Sequence, residues 1–314
     1  MDPVSGGRVC HWDDSSRLTL ARIFPRCAER LLRHLLERFP VGFKSGQGMP
    51  RAGVPDVSIL IPIGGRQRLP QFRLALAAAR AQEGVACEVI VVEQSPISEL
   101  SETFPDGVRY LHQVSEPGAE FNKSRALNAG ALAARGEVLI ILDADYLLPR
   151  RFASQCVHVL QSVEALRPAR WIFYLDETSS QQLSTTHDCS SINGVEAIVS
   201  NNPTPLAVRR STYWEIGGHD EDYVGWGGED TEFLDRLRTR CVAEGGWMPV
   251  LHAWHESAPK KADGSRNREN HEAKMAVPAA SRILGLRNAA SEPSTTGSTA
   301  VSTMLSSEPG RRPA

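Results

Sequence analysis

Hydrophobic positions along this chain alternate between two patterns. Short, almost wholly apolar runs, Val57–Ile61 (interrupted only by Ser58), Val89–Val92 and Val138–Leu142, are rich in β-branched residues, and each ends at a proline or an acid. Such runs predict strands buried on both faces of a parallel sheet. Between them, segments rich in Ala and Leu with helical spacing predict helices from Pro70 to Gln82 and from Asn122 to Arg135. Trp171–Leu175 and Thr204–Val208 read as later strands, followed by a short apolar piece at Trp247–Leu251. The rhythm predicts an α/β fold with a single, mostly parallel, doubly wound sheet flanked by helices.

The pattern divides the chain into three zones. Residues 55–287 carry the strand–helix alternation. Residues 1–54 form an N-terminal extension in which Leu18, Ile23, Leu31, Leu32, Leu35, Leu36 and Phe39 recur among Arg17, Arg22, Arg26, Arg30, Arg33 and Arg38. Pro25 interrupts this pattern, so a basic amphipathic helix is expected from Cys27 to Phe39. Two readings of it stand side by side: peripheral contact with an anionic membrane, or packing on the core with solvated arginines. One short helix binds membranes weakly, which favours packing. Residues 288–314 are dominated by Ser, Thr, Pro, Gly and Ala and are expected to be disordered.

Composition narrows the function. With 35 basic and 37 acidic residues the formal net charge is -2, which argues against a nucleic-acid partner. The six cysteines form no C-x-x-C pair, as expected of reduced thiols in a cytoplasmic protein. No apolar stretch is long enough to span a bilayer, and no signal-peptide pattern opens the chain. A cytoplasmic location is expected, with the N-terminal helix available for contact at the inner membrane face.

Three groups of residues carry chemistry. The strand Val138–Leu142 runs into Asp143-Ala144-Asp145. Two carboxylates one residue apart repel, and burying them is costly without a cation. Ligands of open α/β sheets bind beyond the carboxyl ends of the strands, so a divalent metal bridging these acids to nucleotide phosphates resolves the conflict. A solvated strand-to-turn junction is the plainer alternative. Second, Gly225-Trp226-Gly227-Gly228-Glu229-Asp230 suits a loop whose backbone passes close to a ligand, with Trp226 as a platform. The acids then open a helix, where they favour its dipole or place a general base. Third, His252-Ala253-Trp254-His255 offers an imidazole. Oxygen ligands plus an imidazole suit Mn²⁺.

In this order, the three groups resemble inverting GT-A glycosyltransferases of the family-2 type, especially the β-1,4-galactosyltransferase and chondroitin-polymerase-like group. The resemblance spans about Val57 to Asn270. It implies a metal-dependent transfer of galactose or an N-acetylhexosamine-type sugar from a UDP-sugar to a hydroxyl of a glycan or other acceptor. Asp143-Ala144-Asp145 matches the D-x-D motif, which implies Mn²⁺ (or Mg²⁺) on Asp145 with Asp143 at the ribose or metal shell and Ala144 beside the donor. The W-G-G-E-D match implies Trp226 against donor and acceptor sugars, Gly228 and Glu229 at the substrate, and Asp230 as catalytic base. Phe121-Asn122-Lys123 is similar to the family's F-N-R stretch, implying Phe121 near uracil and Lys123 on the nucleotide; Lys keeps the charge but loses the planar fork. Ile61-Pro62-Ile63-Gly64-Gly65-Arg66 resembles I-P-F-R-N-R, implying Pro62 and Arg66 at the donor. Glu93 occupies a uridine-contacting position, and His255 matches the metal-binding histidine, with His252 as the second choice. The polar segment Glu256–Asn270 is expected to act as a lid ordered by the donor.

Overall fold

The computed structural model describes residues 16–44, 53–100, 104–105, 107–244, 246, 248–256, 265–291 and 301–304. The chain enters through strand β1 (Ser16–Leu18) and helices α1 (Thr19–Ile23) and α2 (Pro25–Arg38). It then lays down β2 (Val57–Ile63), β3 (Cys87–Ser95), β4 (Val108–Val114) and β5 (Val138–Ile141), with α3 (Leu69–Arg80) and α4 (Lys123–Ala133) between them. These four strands lie side by side, all parallel, in the order β5-β2-β3-β4.

Their runs are almost wholly apolar because both faces are covered. On β2 and β5, Ile59, Ile61 and Ile140 face one core, while Leu60, Leu139 and Ile141 face the other. That is the period of two expected of a strand, with apolar residues on each side. Pro25 starts α2 rather than breaking it, since a first-turn residue has no intrahelical partner for an N–H. Asn122 caps α4, accepting from the Arg125 N–H at 2.8 Å.

Beyond β5 the chain adds β6 (Tyr146–Leu147), α5 (Phe152–Val159), β7 (Ala165–Leu166), β8 (Trp171–Leu175), α6 (Glu177–Thr186) and β9 (Val195–Ser200). Next come β10 (Leu206–Arg209), α7 (Arg210–Glu215), α8 (Glu229–Leu237), β11 (Val242–Ala243) and β12 (Val250–His252). The last elements are α9 (Ser265–Met275), α10 (Ala279–Ser291) and β13 (Val301–Met304).

The strands form two sheets where the sequence pattern predicts one. The larger has the order β11-β7-β10-β5-β2-β3-β4-β13, with β10 antiparallel to β5. The smaller has the order β1-β9-β8-β12-β6. Asp143-Ala144-Asp145 is the corner between them, because β5 belongs to the first sheet and β6 to the second. The N-terminal extension belongs to the smaller sheet. β1 pairs with β9, and Ala28 and Leu32 of α2 are buried in a core shared with Leu147, Phe173, Ile198 and Leu251. Within the tail expected to be disordered, α10 continues to Ser291 and β13 pairs antiparallel with β4; the remaining tail residues lie outside the described set.

Candidate active site

Two charge clusters flank that corner. The first surrounds Asp145, which is 3% exposed. Its Oδ2 accepts from an Arg68 guanidinium nitrogen at 2.8 Å and lies 3.3 Å from His255 Nε2 and 3.8 Å from His252 Nε2. Asp145, His252 and His255 each offer a ligand atom, all within 4.8 Å of one another. His252 ends β12, opposite Tyr146, and stacks on Tyr174 with ring centroids 4.0 Å apart. Burial pushes its pKa down, so the ring is neutral at physiological pH, and its buried Nδ1 has no hydrogen-bond partner. His255 Nδ1 donates to the Glu256 carbonyl at 2.7 Å. Its other ring nitrogen, Nε2, faces the Asp145 carboxylate oxygen, so an imidazole nitrogen and a carboxylate oxygen converge on one point where a cation fits. One carboxylate and two imidazoles suit a first-row divalent ion. Burial works against the charge of Asp145. The facing ring nitrogens of His255 and His252 and the Arg68 guanidinium outweigh it and hold the carboxyl well below the usual carboxylate range.

The second cluster surrounds Lys123, at the start of α4. Its Nζ lies 2.6 Å from Asp143 Oδ1, 2.7 Å from Asp230 Oδ2 and 4.0 Å from Glu229 Oε1. Burial opposes its charge, but the pull of Asp143, Asp230 and Glu229 keeps its pKa well above the ordinary lysine value. One cation cannot neutralise three carboxylates. Burial, helped by Glu229 and Asp143 against the opposing pull of Lys123, accordingly pushes Asp230 up to about 7. Asp230 Oδ1 and Glu229 Oε2 are buried without a hydrogen-bond partner.

Glu229 and Asp230 are held by a braced loop. Gly225, Gly227 and Gly228 have φ of +83°, +104° and +94°, in the left-handed region that other residues avoid. A Cβ on Gly228 would stand 2.7 Å from the Tyr223 ring. Phe121 accepts from the Gly225 N–H through its carbonyl at 2.9 Å, and Asn128 on α4 donates to Glu221 at 2.8 Å. From the other side, Asn267 on α9 donates to the Val224 carbonyl at 3.0 Å, and Lys274 contacts Asp220 and Asp222. Trp226 projects from this frame with 57% of its surface exposed.

Several expectations need correction. Asp143 does not join the metal-capable triad. It is turned to Lys123 and accepts from the Thr204 hydroxyl at 2.9 Å, and His252 joins Asp145 and His255 instead. Glu93 is wholly buried, and its two oxygens accept from Ser95, Tyr110 and the backbone N–H groups of Glu99 and Leu100. It organises the loop after β3 and has no free face for a nucleobase. Arg66 is exposed and donates to the Glu99 carbonyl at 3.4 Å; the guanidinium that reaches the site is Arg68, two residues on. Pro62 is buried within β2 opposite Val92, and Ala144 is buried in the corner. Phe121 does lie at the strand end, against Gly64, where a Cβ would come within 3.1 Å of its ring. Of the expected lid, residues 257–264 lie outside the described set and Ser265–Asn270 open α9. Sequence reasoning missed Arg68 and Thr204, neither of which stands in a motif.

Residues 58–258 match the family described as glycosyltransferase like family 2. The chain belongs to that family. It is a glycosyltransferase with a GT-A fold, and the match takes in both charge clusters up to His255. Among solved structures, the mannosyltransferase PcManGT from Pyrobaculum calidifontis, in complex with GDP-Man and Mn²⁺, is similar at 19% identity and a TM-score of 0.47, over 85% of this chain and 78% of that one. No curated protein matches the sequence significantly.

Proposed function

We propose that this family-2 glycosyltransferase is a metal-dependent inverting enzyme. In this reading it moves galactose or an N-acetylhexosamine-type sugar from a UDP-sugar to a hydroxyl of a glycan or other acceptor. The observation that carries the reading is Asp230, a half-buried carboxylate with one buried oxygen unpartnered and a pKa near neutrality, set beside an exposed tryptophan on a glycine-rich loop. A general base works best when its pKa lies near the operating pH.

Asp230 takes the proton of the acceptor hydroxyl as that oxygen attacks the anomeric carbon. The bond to the diphosphate oxygen breaks on the opposite face, so the anomeric centre inverts in one displacement. Trp226 supplies the flat apolar surface against which the sugars lie, and Glu229 accepts hydrogen bonds from their hydroxyls. Asp145, His252 and His255 would hold a divalent ion such as Mn²⁺ or Mg²⁺, which would supply Lewis-acid neutralisation of the departing diphosphate. Arg68 and Lys123 add fixed positive potential on the same side. Lys123 also holds Asp230 and Asp143 in place, so the base is oriented before the acceptor arrives.

The test is a donor screen of UDP-sugars with and without Mn²⁺, followed by NMR assignment of the product's anomeric configuration. Metal-dependent turnover of a UDP-hexose or UDP-N-acetylhexosamine with inversion is expected. A product that retains the donor configuration would remove the role given to Asp230.

A further inference from the structure

The N-terminal segment packs on the core and still presents an unusual outer surface. Between Arg17 and Lys44 the chain carries seven basic residues and two acidic ones, although the whole protein is slightly acidic. Arg17, Arg22, Arg26, Arg30, Arg33 and Arg38 are all exposed. Ala28 and Leu32 fix α2 to the core, which commits the arginines to the outer side. At the corner where α1 meets α2, two consecutive large apolar residues stand out, Ile23 at 58% and Phe24 at 57% exposure. The Phe24 carbonyl accepts from the N–H groups of Cys27 and Ala28, so the corner is held by the first turn of α2.

We propose that this corner and the arginine face dock on an anionic lipid bilayer, with Ile23 and Phe24 inserted among the headgroups. The chemistry is complementary on both counts. Arginines attract an anionic leaflet at about 1 kcal/mol each near the surface, and an aromatic–aliphatic pair beside them enters the interface. A soluble polyanion would use the arginines and leave the apolar pair in water. No described helix is long and apolar enough to cross a membrane, so the contact is peripheral.

The bilayer would also lie near the chemistry. Arg17 sits with its guanidinium 6.0 Å over the Tyr174 ring, and that same ring stacks on His252. α1 continues from β1 toward the strand ends that carry Tyr174 and His252.

Co-sedimentation of the full chain with vesicles tests the proposal. Phosphatidylcholine vesicles are compared with vesicles that also contain phosphatidylserine, at low and at high salt. The expected result is binding to the anionic vesicles only, weakened by salt. Arg26→Ala with Arg30→Ala should lower the partition coefficient about twenty-five-fold, since each charge is worth about fivefold. Phe24→Ser should lower it about tenfold while heparin retention stays unchanged. Ile23→Ser provides a second probe, with circular dichroism confirming that each variant is folded. Asp230→Asn should bind vesicles like the wild type, which separates this surface from the transferase reading. Equal partition onto neutral vesicles, or Phe24→Ser binding as well as the wild type, would overturn the proposal.

Discussion

Asp145 and Asp230 are the same side chain placed in opposite surroundings on the two sides of one corner. Asp145 is a lone acid among an arginine and two imidazoles, and its carboxyl is held charged. Asp230 shares one lysine with two other acids, and its pKa is driven up to about 7. The difference lies in the company each acid keeps: Asp145 faces an arginine and two imidazoles, whereas three acids crowd around Lys123. Environments that push two carboxyl groups apart assign them different work. Asp145 is suited to holding a cation permanently, and Asp230 to accepting a proton and giving it up again.

The most damaging test of this contrast is Asp145→Ala. It should abolish Mn²⁺ binding in calorimetry and take metal-dependent turnover to background, because the two histidines alone leave the ion without its anionic ligand. Asp230→Asn should behave differently: metal and donor binding nearly intact, turnover lower by about a hundredfold to ten-thousandfold, the range for a lost general base. If both variants lost metal affinity equally, the two clusters would be one site and the comparison would fail.

The pH dependence sharpens the contrast. With Asp230 at about 7, kcat/KM should rise with pH through neutrality as the base loses its proton. Lys123 stabilises the charged carboxylate, so Lys123→Met should move that rising limb to higher pH. Stability should carry the opposite signature. A carboxyl with a raised folded pKa favours the fold fully below its unfolded pKa and loses that contribution as pH rises through about 7. Asp145, with a depressed pKa, stabilises above its unfolded value and loses that contribution as pH falls. Asp230→Asn should therefore melt about 2–4 °C higher than the wild type above about pH 8, with the gap closing in mild acid.

Much of this was legible before any coordinates. The almost wholly apolar runs of β2, β3 and β5 announce strands covered on both faces, and Trp171–Leu175 coincides with β8. The tandem acids and the glycine–tryptophan loop announce unusual local demands. The smaller sheet was not legible, because β6 and β12 are two and three residues long and find each other across more than a hundred positions. Strands so short carry no readable period. Glu93 shows the converse: an acid at a strand end looks like a ligand, yet burial recruited both its oxygens into a loop. Whether His252 or His255 faced the acid was open in the sequence, and the end of β12 together with the residues just after it brings both to Asp145.

Arg68 is the residue whose role only packing reveals, and it offers the subtlest test. A tight turn, Gly65–Arg68, directs its guanidinium onto Asp145 while Arg66 points away to Glu99. An arginine and a divalent ion compete for the same carboxylate oxygen. Arg68 is 41% exposed in its side chain, so the pair is screened by water and is worth about 1 kcal/mol. Arg68→Ala should therefore tighten Mn²⁺ binding about fivefold in calorimetry while slowing transfer, because the same guanidinium supports the departing diphosphate. Opposite movements of metal affinity and turnover would show that the arginine serves the cation side of the corner in two ways, as occupant before the metal and as neighbour after it. Weaker metal binding in that variant would mean instead that Arg68 positions Asp145, and the cation side would then owe its order to the protein rather than to the ion it is built to receive.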